Sequence, residues 1–280
     1  MSDQKQKRYE CRNVEIHITH ACNLACEGCG HYCNHGHQGT LTVEEFHEQT
    51  KPWSQKLQPE WLSLMGGEPT LNKDLLKMIE LSALMWKSPT KVRVITNGFL
   101  LHRLPDLPKV IKKHNVQLLI SIHHNGKMYQ GKLKSIKSLV DQWENEYDLD
   151  VVWRTSYNEW LIGYEGFGDN MQPFEDGNPQ KSWESCWFKH HCKQIYLGKL
   201  WKCSRLAYLQ MQDKKFKLND KWLPYLTYRD GDLRGQAIEP TATYEEIEEF
   251  FEYGYLPHCG MCPNEPMRGN NLSCPISLIL

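Results

Sequence analysis

Short apolar runs alternating with longer stretches that carry apolar residues at helical spacing leave this chain few folds to choose from. The runs are residues 14–19 (VEIHIT), 61–65 (WLSLM), 91–96 (KVRVIT), 117–122 (QLLISI) and 151–154 (VVWR). Between them lie helix-like stretches at 43–56, 72–86, 107–114 and 133–146. Brief runs rich in β-branched residues read as strands, and apolar positions three and four apart read as helices. Strands separated by helices predict a parallel sheet in an α/β fold, because a helical crossover returns each strand in the same direction. A sixth strand is expected at 194–197 (QIYL), and a short helix at 244–253. From 156 to 183 Gly, Asn, Asp, Pro and Trp dominate, which reads as irregular loop or linker.

The second constraint is thiol placement. Residues 18–36 read ITHACNLACEGCGHYCNHG and hold Cys22, Cys26, Cys29 and Cys33. The whole chain has 11 cysteines in 280 residues. An odd count in a chain of this size argues against a disulfide framework, which belongs to small secreted domains. The N-terminal MSDQKQKRYECRNVEIHI lacks the apolar core of a signal peptide, and the terminal SLIL is far too short to span a membrane. The expected location is therefore the cytoplasm. A net charge of −1 without long runs of one sign argues against nucleic acid or an anionic membrane as the main partner.

Cys22, Cys26 and Cys29 have the spacing C-x3-C-x2-C directly after the first expected strand. A closed zinc site wants four ligands, usually in CxxC pairs. Three thiolates on one loop suit a 4Fe–4S cluster with one iron lacking a protein ligand, an open position where a cofactor or substrate can bind. In barrels of this type the C-terminal strand ends are where chemistry sits.

Over residues 14–262 the chain resembles the radical SAM superfamily. The resemblance rests on CNLACEGC after the first strand, on Met65-Gly66-Gly67-Glu68-Pro69 after the second, and on Thr96-Asn97-Gly98 ending the third. It implies a partial (β/α)6, TIM-like barrel with a 4Fe–4S cluster on Cys22, Cys26 and Cys29. It further implies that S-adenosylmethionine lies against Gly66, Gly67, Glu68, Pro69 and Asn97, with Glu68 accepting from the amino group. Ser121 and His123, ending the fourth strand, and Arg154, ending the fifth, match positions that often contact the cofactor. The family's aromatic residue before the third cysteine is replaced by Gly28, which leaves Tyr32 or His31 to stand near the adenine. The reaction implied is reductive cleavage of S-adenosylmethionine to a 5′-deoxyadenosyl radical that abstracts a hydrogen atom from substrate.

A further cysteine set follows: Cys186, Gly198 and Cys203 in C-x11-G-x4-C, then Cys259-Gly260-Met261-Cys262. This resembles the twitch module, a shortened SPASM domain, and implies an auxiliary 4Fe–4S cluster on Cys186, Cys203, Cys259 and Cys262. A four-cysteine zinc site is the alternative, and Cys192 or Cys274 could replace a ligand. The expected division is a radical SAM barrel at 1–185 and a small iron–sulfur module with a tail at 186–280. Cys33, beside the cluster loop, is a candidate hydrogen donor to a substrate radical, and His31, His35 and His37 are expected to be solvated or to line the pocket. The substrate expected is a small polar molecule (sugar, aminocyclitol or nucleotide-sugar) undergoing oxidation or epimerisation, with electrons supplied by a flavodoxin or ferredoxin. The alternatives are a radical SAM peptide-modifying enzyme and, more remotely, a non-enzymatic zinc-binding interaction protein.

Overall fold

The computed structural model describes residues 7–157 and 161–267. In chain order the elements are β1 (Tyr9–His17), α1 (Val43–Lys56), β2 (Leu57–Met65), α2 (Leu75–Met85), β3 (Lys91–Thr96), α3 (Leu107–His114), β4 (Gln117–Ile122), α4 (Lys127–Tyr147) and β5 (Val151–Thr155). There follow α5 (Pro179–Ser185), β6 (Lys193–Tyr196), β7 (Lys199–Trp201), α6 (Ser204–Phe216), β8 (Ala237–Ile238) and α7 (Tyr244–Glu252), with short 3-10 turns between them. One eight-stranded sheet runs in the order β5-β4-β3-β2-β1-β6-β7-β8. Strands β1 to β5 are parallel neighbours in sequence order, as the alternation predicts. The result is an α/β fold with a mostly parallel sheet, consistent with a partial barrel.

Strand β6 forms where expected but pairs parallel with β1, placing Val14 beside Lys193 and Ile16 beside Ile195. A sequential six-stranded barrel would have set it against β5. The other edge of β1 offers unpaired backbone groups, and β6 satisfies them. Strand β7 then returns antiparallel through Leu197 and Gly198, both at positive φ (51° and 73°). Two such residues make the turn that matches strand twist, which accounts for the glycine in the C-x11-G-x4-C spacing. The Trp53 indole of α1 donates to the Gly198 carbonyl at 2.8 Å and fixes this hairpin.

The main core lies between the sheet and helices α1 to α4. Val14, Ile16 and Ile18 alternate into it beside Phe46, Trp53, Leu62 and Leu64. Ile195 and Leu200 of β6–β7 and Ile247 and Phe250 of α7 join the same core. A boundary at Cys186 thus falls within one continuous sheet. A second core gathers Tyr164, Met171, Trp201, Tyr208 and Trp222 around α6. The stretch expected to be linker supplies Tyr164 and Met171 to it, at 3% and 0% exposure. Its glycines and prolines conceal two apolar anchors whose partners come from far along the chain. Among the described residues no helix is long and apolar enough to cross a membrane.

On the opposite face of β1, Asn13, Glu15 and His17 are buried as well. Buried polar groups on an inward strand face need polar partners or a ligand, and here that face lines a cavity.

Candidate active site

The loop after β1 is held by the start of the next crossover. Ile18 N donates to Met65 O, Gly67 N to Thr19 O and Glu68 N to Ala21 O, each at 2.9 Å. The Asn72 amide donates to the carbonyls of Ile18 (2.9 Å) and Leu41 (3.1 Å). A Cβ on Gly66 would stand 2.2 Å from Thr19 O, and one on Gly67 the same distance from Ala21 O. The two glycines are therefore required by the cysteine loop's own backbone. Both still line a cavity of about 890 Å³, together with Cys22, Cys26 and Cys29. Cys22 and Cys26 pack on an apolar patch of Leu24, Phe99, Ile122 and Tyr129. Gly28 lies at φ +65°, so an aromatic side chain there would be strained.

Glu68 and Pro69 do not line the cavity. Glu68 is fully buried, and its carboxylate accepts from the Thr96 hydroxyl (2.5 Å), the Thr70 hydroxyl (2.6 Å) and the backbone N–H of Thr70 (3.1 Å) and Asn97 (2.8 Å). Burial pushes its carboxyl above the usual range against these donors. The expected direct contact with an ammonium is thus replaced by a clamp between the ends of β2 and β3. Asn97 completes it, donating to Asn23 of the cysteine loop at 2.7 Å while facing the cavity. Glu68→Gln would set an NH₂ group against these donors. We expect a loss of about 1–3 kcal/mol of stability, read as a lower Tm, with weaker S-adenosylmethionine binding only as its consequence. An unchanged Tm with impaired binding would restore the direct contact.

Ser121, His123, Arg154 and Cys33 all line the cavity. Burial lowers His123 to about 4, so it is neutral. Cys33 is buried, its thiol donating to the His31 carbonyl at 3.5 Å, and Cys29 is lowered to about 7, first by its hydrogen bond with Cys33. Tyr32 is not at the cavity; it is buried in the second core 5.3 Å from Tyr164, and His31 takes the cavity position. His35 and His37 are neither solvated nor at the cavity. His37 bonds Gln212 at 2.7 Å, and His35 bonds Tyr164 and Gln212. Sequence reasoning missed the cluster of His17, His20 and His31 around Tyr208, with His17 stacked on its ring and His20 edge-on to it, whose histidines burial keeps neutral. The alternation of polar residues in NVEIHI was its only signal.

Most of the later cysteines stand at element ends: Cys186 closes α5, Cys203 opens α6, and Cys262 closes a 3-10 turn that contains Cys259. Ser182 of α5 donates to Cys262 O at 2.8 Å, which ties these segments together. The Cys203 thiol is pushed up to about 11, first by burial and then by Cys262 and Cys186 nearby. Cys259, pushed up to about 12 by burial, also feels Cys203, Cys262 and Cys186. Arg205 reaches this group, Nη1 donating to the Cys262 sulfur at 3.1 Å, while its buried Nε has no acceptor among the described residues. A buried cation with a donor left over next to these thiols fits a group bearing further acceptors, such as the sulfides of a cluster, better than one ion. Among the described residues no three His, Cys, Asp or Glu side chains converge closely enough to hold a single metal ion. Cys192 is buried with its thiol 4.0 Å from Glu15, and it too feels Cys186 and Cys203, while Cys274 lies outside the described residues.

Probable GTP 3′,8-cyclases from Saccharolobus solfataricus and Methanocaldococcus jannaschii are 32% and 34% identical to this chain, over 40% and 35% of its length. The chain spans about a third of the length of each (34% and 32%). Among solved structures, BtrN in complex with AdoMet and 2-DOIA has a TM-score of 0.48 at 14% identity, covering 80% of this chain and 87% of that one. For anSMEcpe with bound AdoMet and Cp18Cys peptide the TM-score is 0.39 at 17% identity, covering 50% and 42%. Residues 16–145 match the profile of the Radical SAM superfamily. That segment, from the end of β1 to the end of α4, is a radical SAM domain, the kind that carries a 4Fe–4S cluster and S-adenosylmethionine.

Proposed function

We propose that this protein is a radical SAM enzyme that abstracts a hydrogen atom from a small polar substrate, leading to oxidation or epimerisation. The observation that carries the reading is one cavity lined by Cys22, Cys26, Cys29, Gly66, Gly67 and Asn97 at the C-terminal ends of β1 to β3. Cys22, Cys26 and Cys29 would hold a 4Fe–4S cluster. With S-adenosylmethionine bound, such a cluster would supply the electron for reductive cleavage of that cofactor. The chain's own residues do the positioning. The Glu68–Thr96–Asn97 clamp fixes the glycine segment, and Leu24, Phe99 and Tyr129 form an apolar patch against which Cys22 and Cys26 pack.

Cys186, Cys203, Cys259 and Cys262 are assigned to a second 4Fe–4S cluster in a twitch-like arrangement, supported by the mutual influence of the four thiols and by Arg205 on Cys262. Such a centre would take an electron from a substrate radical and complete an oxidation. Cys33, a thiol at the cavity wall, would serve the epimerisation branch. A flavodoxin or ferredoxin is the proposed electron source. The similarity to GTP 3′,8-cyclases favours a second reading, cyclisation of a nucleotide.

Reduced, iron-loaded protein should release 5′-deoxyadenosine and methionine from S-adenosylmethionine even without substrate, measured by chromatography. No 5′-deoxyadenosine under strong reductant, with iron content confirmed, would overturn the proposal.

A further inference from the structure

We infer that the first half of helix α4 is the docking face for the protein that delivers the electron, a small acidic one-electron carrier of the flavodoxin or ferredoxin kind. The inference rests on the reading of the cysteine loop as the cluster site and gives that site's electron partner a place on the surface. Lys127, Lys132, Lys134 and Lys137 are all exposed, and residues 127–138 include no acid. Acids begin at Asp141 and continue with Glu144 and Glu146, toward the far end of the helix. Lys134 follows Lys127 by seven residues and Lys137 follows by three more, spacings that set all three on one side of a helix. That side points away from the buried Tyr129, Ile136 and Val140.

This order of charge runs against what stabilises a helix. The N-terminal end carries partial positive charge and favours acids, and the C-terminal end favours bases. Helices α1 and α7 obey, with Glu44 and Glu45, and Glu245 and Glu246, in their first turns beside capping boxes. Helix α4 inverts the rule. Its first turn has no acid, its last turn has no base, and its N-cap is Gly126, which has no side chain to cap with. Among the described residues none of the four lysines forms an ion pair, whereas Lys109, Lys112 and Lys113 on or beside the neighbouring α3 each do. None of the four lines the cavity, where Arg12 and Arg93 stand, so they are no part of the substrate site. Charge arranged at the helix's expense and left unpaired is charge for a partner.

Position ties the face to the cysteine loop. Because α4 follows β4, its first turn lies at the same strand ends as the loop of Cys22, Cys26 and Cys29. Tyr129, in that turn, is 3% exposed and packs in the apolar patch that Cys22 and Cys26 join. Phe99, with its ring 4.9 Å from that of Tyr129, belongs to the same patch. Directly before Tyr129, Met128 is 74% exposed and is flanked in sequence by Lys127 and, one turn on, by Lys132. One large apolar side chain among lysines suits a small, transient interface. The methionine gives contact, and the charges steer an acidic partner and fix its orientation. A carrier seated there has the Tyr129 patch between it and the thiols. One electron passes from carrier to cluster, with no bond made or broken.

The test uses iron-loaded protein and two acidic probes, a bacterial flavodoxin and a plant-type 2Fe–2S ferredoxin. Calorimetric titration with the oxidised carriers, at low and at physiological salt, reads binding without turnover. Wild type should bind at least one of them, and more weakly as salt rises, since exposed charges are screened. The double variant Lys127→Glu, Lys134→Glu should weaken that binding about tenfold or more. Its iron content, Tm and S-adenosylmethionine affinity should be undiminished, because a glutamate at 127 suits the start of a helix. Its 5′-deoxyadenosine formation should slow with the carrier as reductant and match wild type with dithionite. Lys127→Arg with Lys134→Arg keeps the charge and should keep the affinity. Binding of neither carrier, or equal affinity in wild type and the glutamate variant, would overturn the docking face and leave the radical reading intact. Equally tight binding of a random-sequence RNA, lost in the same variant, would assign the lysines to nucleic acid and overturn the face as well. Wild type that binds the carrier as stated yet makes no 5′-deoxyadenosine with dithionite would lose the radical reading and keep the face.

Discussion

Alanine at Cys22, Cys26 and Cys29 together is expected to remove about four of about eight irons per chain after anaerobic reconstitution, and to abolish 5′-deoxyadenosine formation altogether. The three thiols are the only cysteines besides Cys33 on the loop between β1 and α1. Cys33 is buried, and its thiol donates to the His31 carbonyl, a partner that the alanine substitutions leave in place. The loop itself should survive, because its backbone is held by Met65, Gly67, Glu68 and Asn72 rather than by the thiols. Circular dichroism and Tm close to wild type would show that. Iron analysis with cofactor-cleavage assays then isolates the first centre. Full iron retention would overturn the assignment of these cysteines. Loss of all iron would overturn the independence of the two sets.

What the sequence made legible follows from local physics. Apolar periodicity located β1 to β5 and α1 to α4, since strand and helix spacing are properties of neighbours in the chain. Helix α1 begins and ends where its spacing says, with a Thr42–Glu45 capping box at its start. The cysteine spacing, the glycine pair and Asn97 were legible as one site because they lie at successive strand ends. Three things were not. The pairing of β6 with β1 depends on a free sheet edge, which no local pattern announces. Glu68 and Tyr32 were assigned to the cofactor by resemblance to a family pattern, yet Thr70, Thr96 and Asn97 claim the first, and Tyr164 shares a core with the second. Arg93 carried a signal that went unread. In KVRVIT it is a charge alternating with buried valines, and a strand with helices over its other face points such a residue at a cavity.

Arg205→Gln is expected to lower the midpoint potential of the second centre by on the order of 100 mV, the size of one unit charge acting over a few ångströms at an effective dielectric of about 20. The side chain is 6% exposed, and its guanidinium is held firmly charged by the thiols of Cys262 and Cys186, against burial, which opposes charge. Nη1 donates to the Cys262 sulfur at 3.1 Å, Nη2 to the Leu161 carbonyl at 3.2 Å, and the group lies 5.2 Å from the Phe188 ring. Gly163 is small because a Cβ there would fall 1.9 Å from the guanidinium carbon, so the fold makes room for this residue. A fixed positive charge stabilises the added electron of a reduced cluster, and a neutral amide in its place makes reduction harder. Working in the Cys22, Cys26 and Cys29 alanine background leaves the second centre alone, and a redox titration followed by electron paramagnetic resonance reads its potential directly. Arg205→Lys keeps the charge and should hold the potential near wild type even if the hydrogen bond to Cys262 is lost. A potential indifferent to both substitutions would mean that Arg205 faces something other than a cluster. A protein that binds zinc there and gives no signal would overturn the second cluster itself.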